Sequence, residues 1–440
     1  MYQRGLLRRS HGGATPTSCT PPGLTDTASQ LPPSAGTYAY GTFKPGAAGF
    51  PSVGGTYTDP IFGATVLRLT AIGVAANNDQ IYSRNGYHNA DGTMCMTWSP
   101  TGGGLVTLID SRTGAVLYGG MPTGTATSGA VSFDPVDPNV YYYPSTATMR
   151  KVTLTGGGGF TDTPLKTFAF TLGNLGVSVD FIDNTGTYWL IHDATNTLVY
   201  VWKKTTDELY SNPITPLGGG GWTGITPSGN YVVDLVGASA YPNKERRSYA
   251  INHGTKSIST TPVQFCGLGG SNDHGDLLSA SDGHEYFIAP NDDLTPLGLY
   301  RWDITTDNSG KTDTQQLASA TRIMPITSFD DSTGHVSCVS KGAYRDYAIF
   351  SVETALDVFD YDPATGWSAY RQEILFSNVL TLVTYRLLHH RSRSIGVNYG
   401  YQPKVCIAWG GQVAIWDSDY NTSSPAGYAD LYGWRNSCVA

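Results

Sequence analysis

From residue 86 onward, small residues leading into a tight Asp, Asn or Gly turn alternate with segments dense in β-branched and aromatic residues. Apolar positions recur every second residue or in short continuous runs, which is the spacing of strands. GYHNADGTMCMTW at 86, GAVSFDPVDPNVYYY at 129, LGVSVDFIDNTGTYWLI at 175 and GWTGITPSGNYVVDL at 221 carry the pattern. DHGDLLSASDGHEYFIA at 273, HVSCVSKGAYRDYAIFSV at 335 and HHRSRSIGVNYGYQPKVCIAW at 389 repeat it. Successive starts lie 43 to 62 residues apart, the length of a four-stranded blade with a variable loop. A second strand pair follows six of the copies: LVTLIDSRTGAVLYGG, MRKVTLTGGGG, LVYVWKKTTDELY, RRSYAINHGTKSI, LYRWDITTDNSGK and LDVFDYDPATGWSAY. The seventh ends with VAIWDSDYN and YADLYGW. The pattern predicts an all-β, seven-bladed β-propeller.

The strand pair GGTYTDPIFGATVLRLT precedes the first copy. A ring of sheets leaves an open edge at its seam, so residues 55 to 70 are predicted to close the ring by pairing with the C-terminal blade. No window shows sustained i, i+3, i+4, i+7 apolar spacing with caps, and helices are not expected. FSNVLTLVTYRLLHH, 376 to 390, reads as the outer strand of the sixth blade running into the inner strand of the seventh.

Charged side chains make up 14 % of the chain, against roughly 25 % in an average soluble domain, so neutral polar groups cover the surface. The net charge of −8 excludes a nucleic-acid reader, which needs a dense basic face. No apolar run reaches the ~18 residues of a membrane-spanning helix. Residues 1–50 are too rich in Pro, Gly, Ser and Thr to bury a core of their own and form an arm, leaving 51–440 for the propeller. Six dispersed cysteines show no zinc-like spacing. Cys338 and Cys406 lie in apolar strands as buried thiols, and the set leaves room for one or two disulfides. Scarce Lys with abundant Thr, Ser, Gly and Tyr points to an extracellular or cell-surface setting, although MYQRGLLRRSHGGATP lacks the apolar stretch of a signal peptide.

Several segments resemble the bacterial β-propellers that include TolB-like repeats, oligogalacturonate lyases and propeller-type ulvan lyases. They are Tyr57-Thr-Asp-Pro-Ile-Phe-Gly63, Val66-Leu-Arg-Leu-Thr70, Asn89-Ala-Asp-Gly-Thr93, Thr226-Pro-Ser-Gly229, His274-Gly-Asp276 with Asp282-Gly283, and Ala408-Trp-Gly-Gly411. The likeness spans residues 55 to 434. It implies the propeller fold and, for chemistry, one of two arrangements: a metal held by a histidine cluster in the central channel, or β-elimination by histidine, tyrosine and arginine.

The first strand of each blade lines a propeller's channel, and four copies place histidine near it: His88, His274, His335 and the pair His389, His390. His88, His274, His335 and His389 could ligate a divalent metal ion, and an imidazole could also serve as a base near neutral pH. Their spacings differ, since His88 lies 4 residues before Gly92 and His274 lies 9 before Gly283. His274 and Asp276 share one strand face and form either base and orienter, two ligands, or a histidine beside a carboxylate that binds turn amides. For β-elimination on an acidic polysaccharide, Arg391 or a metal would neutralise the uronate, His274 or His335 would take the proton, and Tyr87 would protonate the leaving oxygen. Hydrolysis would instead use Asp180 and Asp276. The glycine runs at 102–104, 156–159 and 218–221 read as loops that connect blades. Trp222, Tyr241 and Trp367 either stack on sugars or pack between blades. His192, His253 and His284 read as structural, and His11 belongs to the arm.

Two functional readings follow. One is an extracellular propeller that binds or cleaves a glycan, most concretely a lyase for acidic polysaccharide. The other is a non-catalytic structural or adhesive subunit of a surface layer, filament or virion, docked on a partner protein or another copy through residues 1–50.

Overall fold

The computed structural model describes residues 19–71, 83, 86–98, 106–123, 131–173, 181–195, 197–216, 222–235, 245–267, 274–291, 294–326, 333–353, 367–392, 402–420, 422 and 429–438. These form seven antiparallel sheets, the blades of a propeller.

Blade one pairs His88 with Cys95 and continues through Met94–Trp98, Val106–Asp110 and Val116–Met121. Blade two holds Ser132–Phe133, Val140–Ser145, Thr148–Gly156 and Gly159–Thr167, and blade three brings Ile182 beside Tyr188–Asp193, Leu198–Lys203 and Glu208–Leu209. Blade four consists of Thr223–Ile225, Tyr231–Leu235, Arg246–Asn252 and Val263–Cys266, with Ser257–Ile258 attached. Blade five contains Asp276–Ser279, Glu285–Asn291, Gly298–Asp303 and Thr321–Pro325. The glycine run at 156–159 is the turn between the last two strands of blade two and not a connection between blades, while the runs at 102–104 and 218–221 lie outside the described residues.

Blade six consists of Thr333–Cys338, Tyr347–Glu353, Glu373–Asn378 and Thr384–His389. This corrects the sequence reading at two points. Residues 376–390 form a hairpin wholly inside blade six, and the inner strand of blade seven is Cys406–Ile407. The third strand of blade six is Glu373–Asn378, downstream of LDVFDYDPATGWSAY, most of which lies outside the described residues.

Blade seven is assembled from both ends of the chain. Cys406–Ile407, Val413–Ser418 and Asp430–Arg435 are joined by Thr65–Arg68 and, outside it, Thr56–Thr58. Val66 pairs with Trp434 and Arg68 with Tyr432, as expected for residues 55 to 70. Within the seam Arg68 Nη2 meets Asp430 Oδ2 at 2.7 Å, and the Leu431 amide donates to Thr70 Oγ1 at 2.8 Å. Arg68 and Asp430 are both buried.

One seven-residue helix, Asp313–Ser319, interrupts blade five. Thr312 and Gln315 cap it reciprocally, a T-x-x-Q signature that an apolar-spacing test passes over because only Gln316 and Leu317 of this helix are buried.

The described arm, residues 19–50, lies on its own propeller. Leu24 bridges to Arg386, Asp26 forms an ion pair with Arg386 at 2.7 Å, and Ser29 Oγ donates to the Trp367 carbonyl. Phe43 is buried with Tyr57, Tyr420 and Tyr432, and Tyr38 and Phe50 pack on the same cluster. Cys19 and Cys438 form a disulfide. Cys95, Cys266, Cys338 and Cys406 are buried free thiols.

Candidate functional site

Each inner strand ends in a turn closed by a backbone hydrogen bond whose donors in blades four to seven are Thr226, Ala280, Val339 and Ala408. Four residues earlier stand Trp222, Asp276, His335 and Lys404. These four occupy equivalent register positions on four consecutive blades, one layer toward the face where the second strands end. His274 stands two residues ahead of the strand Asp276–Ser279, further toward that face, and Glu353 ends the second strand of blade six.

A buried pair centres this layer. His335 Nδ1 lies 2.7 Å from Glu353 Oε1, and neither side chain is more than 2 % exposed. The imidazole of half-buried His274 stacks on that of His335, ring centres 4.4 Å apart and planes 16° from parallel. Burial pushes the Glu353 carboxyl up to about 7, and its electrostatic interactions with His274, His390 and Lys404 offset part of that rise. The carboxyl therefore exchanges its proton near neutral pH, where a general acid or base is most effective. Lys404 Nζ lies 3.5 Å from Asp417 Oδ2, both buried.

His390 backs this group from the end of blade six. Its Nε2 donates to the Val352 carbonyl at 2.9 Å and its Nδ1 accepts from the Ser392 amide at 3.1 Å, which fixes the tautomer. Burial holds it neutral, down to about 4.

The other end of the channel is blocked. Ser340 and Lys341 of blade six both donate backbone hydrogen bonds to the Trp409 carbonyl of blade seven. Lys341 Nζ donates to the Pro135 carbonyl of blade two, and Asn184 Nδ2 of blade three donates to the Ser340 carbonyl. Blades two and three are each three places from blade six, the largest separation a ring of seven allows. The blade-six turn therefore crosses the axis. Trp409 Nε1 continues the closure to the His88 carbonyl of blade one at 3.0 Å.

The residues nominated from sequence thus separate. His274 and His335 come together. Asp276 lies in the same layer, but its Oδ1 accepts from the Leu277 amide and its Oδ2 from the Cys338 amide, at 2.7 and 2.6 Å. It ties blade five to blade six, close to the amide-binding alternative. His88 sits one residue before its turn, at the blocked end, and Tyr87 is buried beside it. His389 donates to the Gln30 carbonyl of the arm at 3.2 Å. Arg391 lies under the rings of Tyr40, Phe43 and Tyr57 and donates to the Tyr38 carbonyl, so its guanidinium anchors the arm and does not face the His335 layer. Trp222 and Trp367 are buried in packing. Half-buried His192 hydrogen-bonds Thr223 through Nε2, His253 packs on Tyr188, and His284 pairs with Asp303 at the surface. Asp180, Tyr241 and His11 lie outside the described residues. His88, His274, His335 and His389 do not form one donor set. Among the described residues no group of three or more His, Cys, Asp or Glu side chains is placed to hold a metal ion.

Sequence reasoning missed Glu353 and Lys404. The usable signal was an acidic residue closing the apolar strand YAIFSVE, and a lysine at the register of His335 ahead of CIAW.

The fold and this layer define a seven-bladed β-propeller whose axis is crossed at one end by the turn of blade six. No family model matches the chain, and no curated protein matches it. Among solved structures it is similar to an oligogalacturonate lyase from Vibrio parahaemolyticus, at 12 % identity with a TM-score of 0.55, covering 86 % of this chain and 96 % of that one. It is also similar to an oligogalacturonate lyase in complex with manganese, at 12 % identity with a TM-score of 0.53, covering 87 % and 95 %. At that identity the likeness concerns the fold.

Proposed function

We propose that this propeller acts on an acidic saccharide at the channel mouth, cleaving it by β-elimination. The buried Glu353–His335 pair beneath half-buried His274 carries the reading. The carboxylate of a uronate acidifies the adjacent C–H. His274 takes that proton, the electron pair forms a carbon–carbon double bond, and the glycosidic oxygen leaves and takes a proton in turn. His335, held by Glu353, stacks on His274 and fixes the plane of its ring, so that the imidazole is presented edge-on to the proton it takes. With the far end barred by Lys341, whatever enters must leave by the same mouth, which favours a chain end over a threaded chain. The manganese named for one neighbour finds no matching donor set among the described residues, so every proton transfer here is assigned to side chains of this chain. The Cys19–Cys438 disulfide supports an oxidising, extracellular setting. The arm packs on its own propeller, and this intramolecular docking supports the saccharide reading over attachment to a neighbour.

The test is incubation with a panel of uronate polysaccharides and their short oligomers, with and without added manganese, following ultraviolet absorbance of unsaturated ends. Release of unsaturated product that His274→Ala abolishes supports the assignment. Absence of unsaturated ends across the panel, with and without the ion, refutes it.

A further inference from the structure

The arm is attached in two physically different ways. Residues 38–50 are held by burial: Phe43 is 3 % exposed, Tyr38 and Phe50 pack beside it, and Arg391 lies over the Phe43 ring. Residues 20–37 bury only Pro21 and Pro32 and are held mainly by polar contacts. They comprise the Leu24 bridge and the Asp26 and Ala28 contacts with Arg386, the Ser29 bond to Trp367, and the Gln30 carbonyl on His389. The Asp26 side chain is itself 49 % exposed. What turns this second segment into a strap is its other end, where Cys19 is bonded to Cys438. Cys19 is exposed and Cys438 half-buried, so a small thiol can reach the bond, whereas the four free thiols are buried.

We propose that Cys19–Cys438 is a redox latch on this strap. Closed, the bond fastens residues 20–37 at both ends, so local opening gains little chain entropy and the strap stays over Arg386, Trp367 and His389. Opened, the same residues become a tail fastened only at 38, and chain entropy favours release. The reaction is thiol–disulfide exchange with a dithiol. One thiolate attacks a sulfur of the pair and breaks the S–S bond, the second thiol resolves the mixed disulfide, and Cys19 and Cys438 leave as thiols while the dithiol becomes a cyclic disulfide. The strap rests on the back wall of the layer described above: His389 loses its acceptor on release, and its chain neighbour His390 bonds Val352, next to Glu353. Opening the latch therefore loosens that wall from a point remote from the mouth.

Hydrogen exchange measured by mass spectrometry on the full chain, before and after a dithiol, tests this without reference to any substrate. On reduction, amides of 20–37 are expected to exchange at least tenfold faster and those of 384–390 detectably faster, with blades two to five unchanged. The Cys19→Ser/Cys438→Ser double variant should show the fast pattern with or without dithiol. Asp26→Ala, which weakens the strap and leaves the disulfide intact, should raise exchange in 20–37 only modestly until reductant is added. Unchanged exchange in 20–37 on reduction overturns the proposal, as does uniform acceleration across all blades, which would make the bond a general staple. Failure of the lyase reading leaves these outcomes legible.

Discussion

Replacing Glu353 by Gln tests the central pair through the pH dependence of stability. The carboxyl's pKa rises from 4.5 to about 7 on burial, so ionising it inside the propeller costs roughly 3 kcal/mol relative to the unfolded chain. Below about pH 4.5 the group is protonated in both states and contributes nothing that depends on pH. Between about pH 4.5 and 7 the unfolded chain ionises it while the folded state keeps its proton, so the wild type loses that stability as pH rises, and the loss is complete once pH passes 7. The amide has no such cost. It also weakens the hydrogen bond to His335, a loss of about 1 kcal/mol that shifts the variant's whole curve downward. Denaturant titrations between about pH 4 and pH 8 should therefore show the stability difference, variant minus wild type, moving upward by about 3 kcal/mol across the window. In the same variant kcat/KM on a responsive uronate substrate should fall, and the limb of its pH profile near 7 should flatten. Parallel stability curves would refute the burial argument. An unchanged rate profile would remove Glu353 from the chemistry while leaving its burial intact.

His274→Ala should lower kcat by about 10²–10⁴-fold with little change in Tm, because the ring is half-buried and its stacking partner stays bonded to Glu353. Arg391→Met should cost about 2–3 kcal/mol in denaturant titration by emptying the cage of Tyr40, Phe43 and Tyr57, and should leave the rate per folded molecule nearly unaltered. A selective loss of rate would restore the substrate role first read for this arginine. Asp430→Ala leaves Arg68 buried without its carboxylate at the ring seam, a loss of about 3–5 kcal/mol. With unfolding entropy near 2.1 cal/mol/K per residue, calorimetry should show a Tm lower by about 3–5 °C.

The ring was legible because each blade repeats a turn with fixed chemistry. Asn89, Asp134, Asp183 and Thr226 occupy the same place in successive blades, each donating its amide back across the turn, and residues 55–70 had no other edge to join. The site was less legible because sequence distance to a turn does not say which end of the strand a side chain occupies. His88 and His335 both precede inner-strand turns, yet one sits a single residue from its turn and the other four, which puts them at opposite ends of the channel. His389 and His390 resembled an inner strand because the stretch after them carries few apolar residues until Val405. Arg391 could not be separated from a substrate clamp, since the aromatic rings that enclose it come from more than 330 positions earlier in the chain. Glu353 carries no sequence mark of the channel because first strands line it, whereas this carboxyl reaches it from the end of a second one.

The strand Thr65–Arg68 cannot find its partner until Asp430–Arg435 has left the ribosome, 362 residues after Arg68 in the case of Asp430. Throughout synthesis it travels as an unpaired edge, and every blade completed meanwhile belongs to an arc that is still open. A nascent chain stalled anywhere before blade seven would expose both arc ends at once and could zip to its twin on a neighbouring ribosome. Production of this protein should therefore be unusually sensitive to premature termination and to crowding of polysomes.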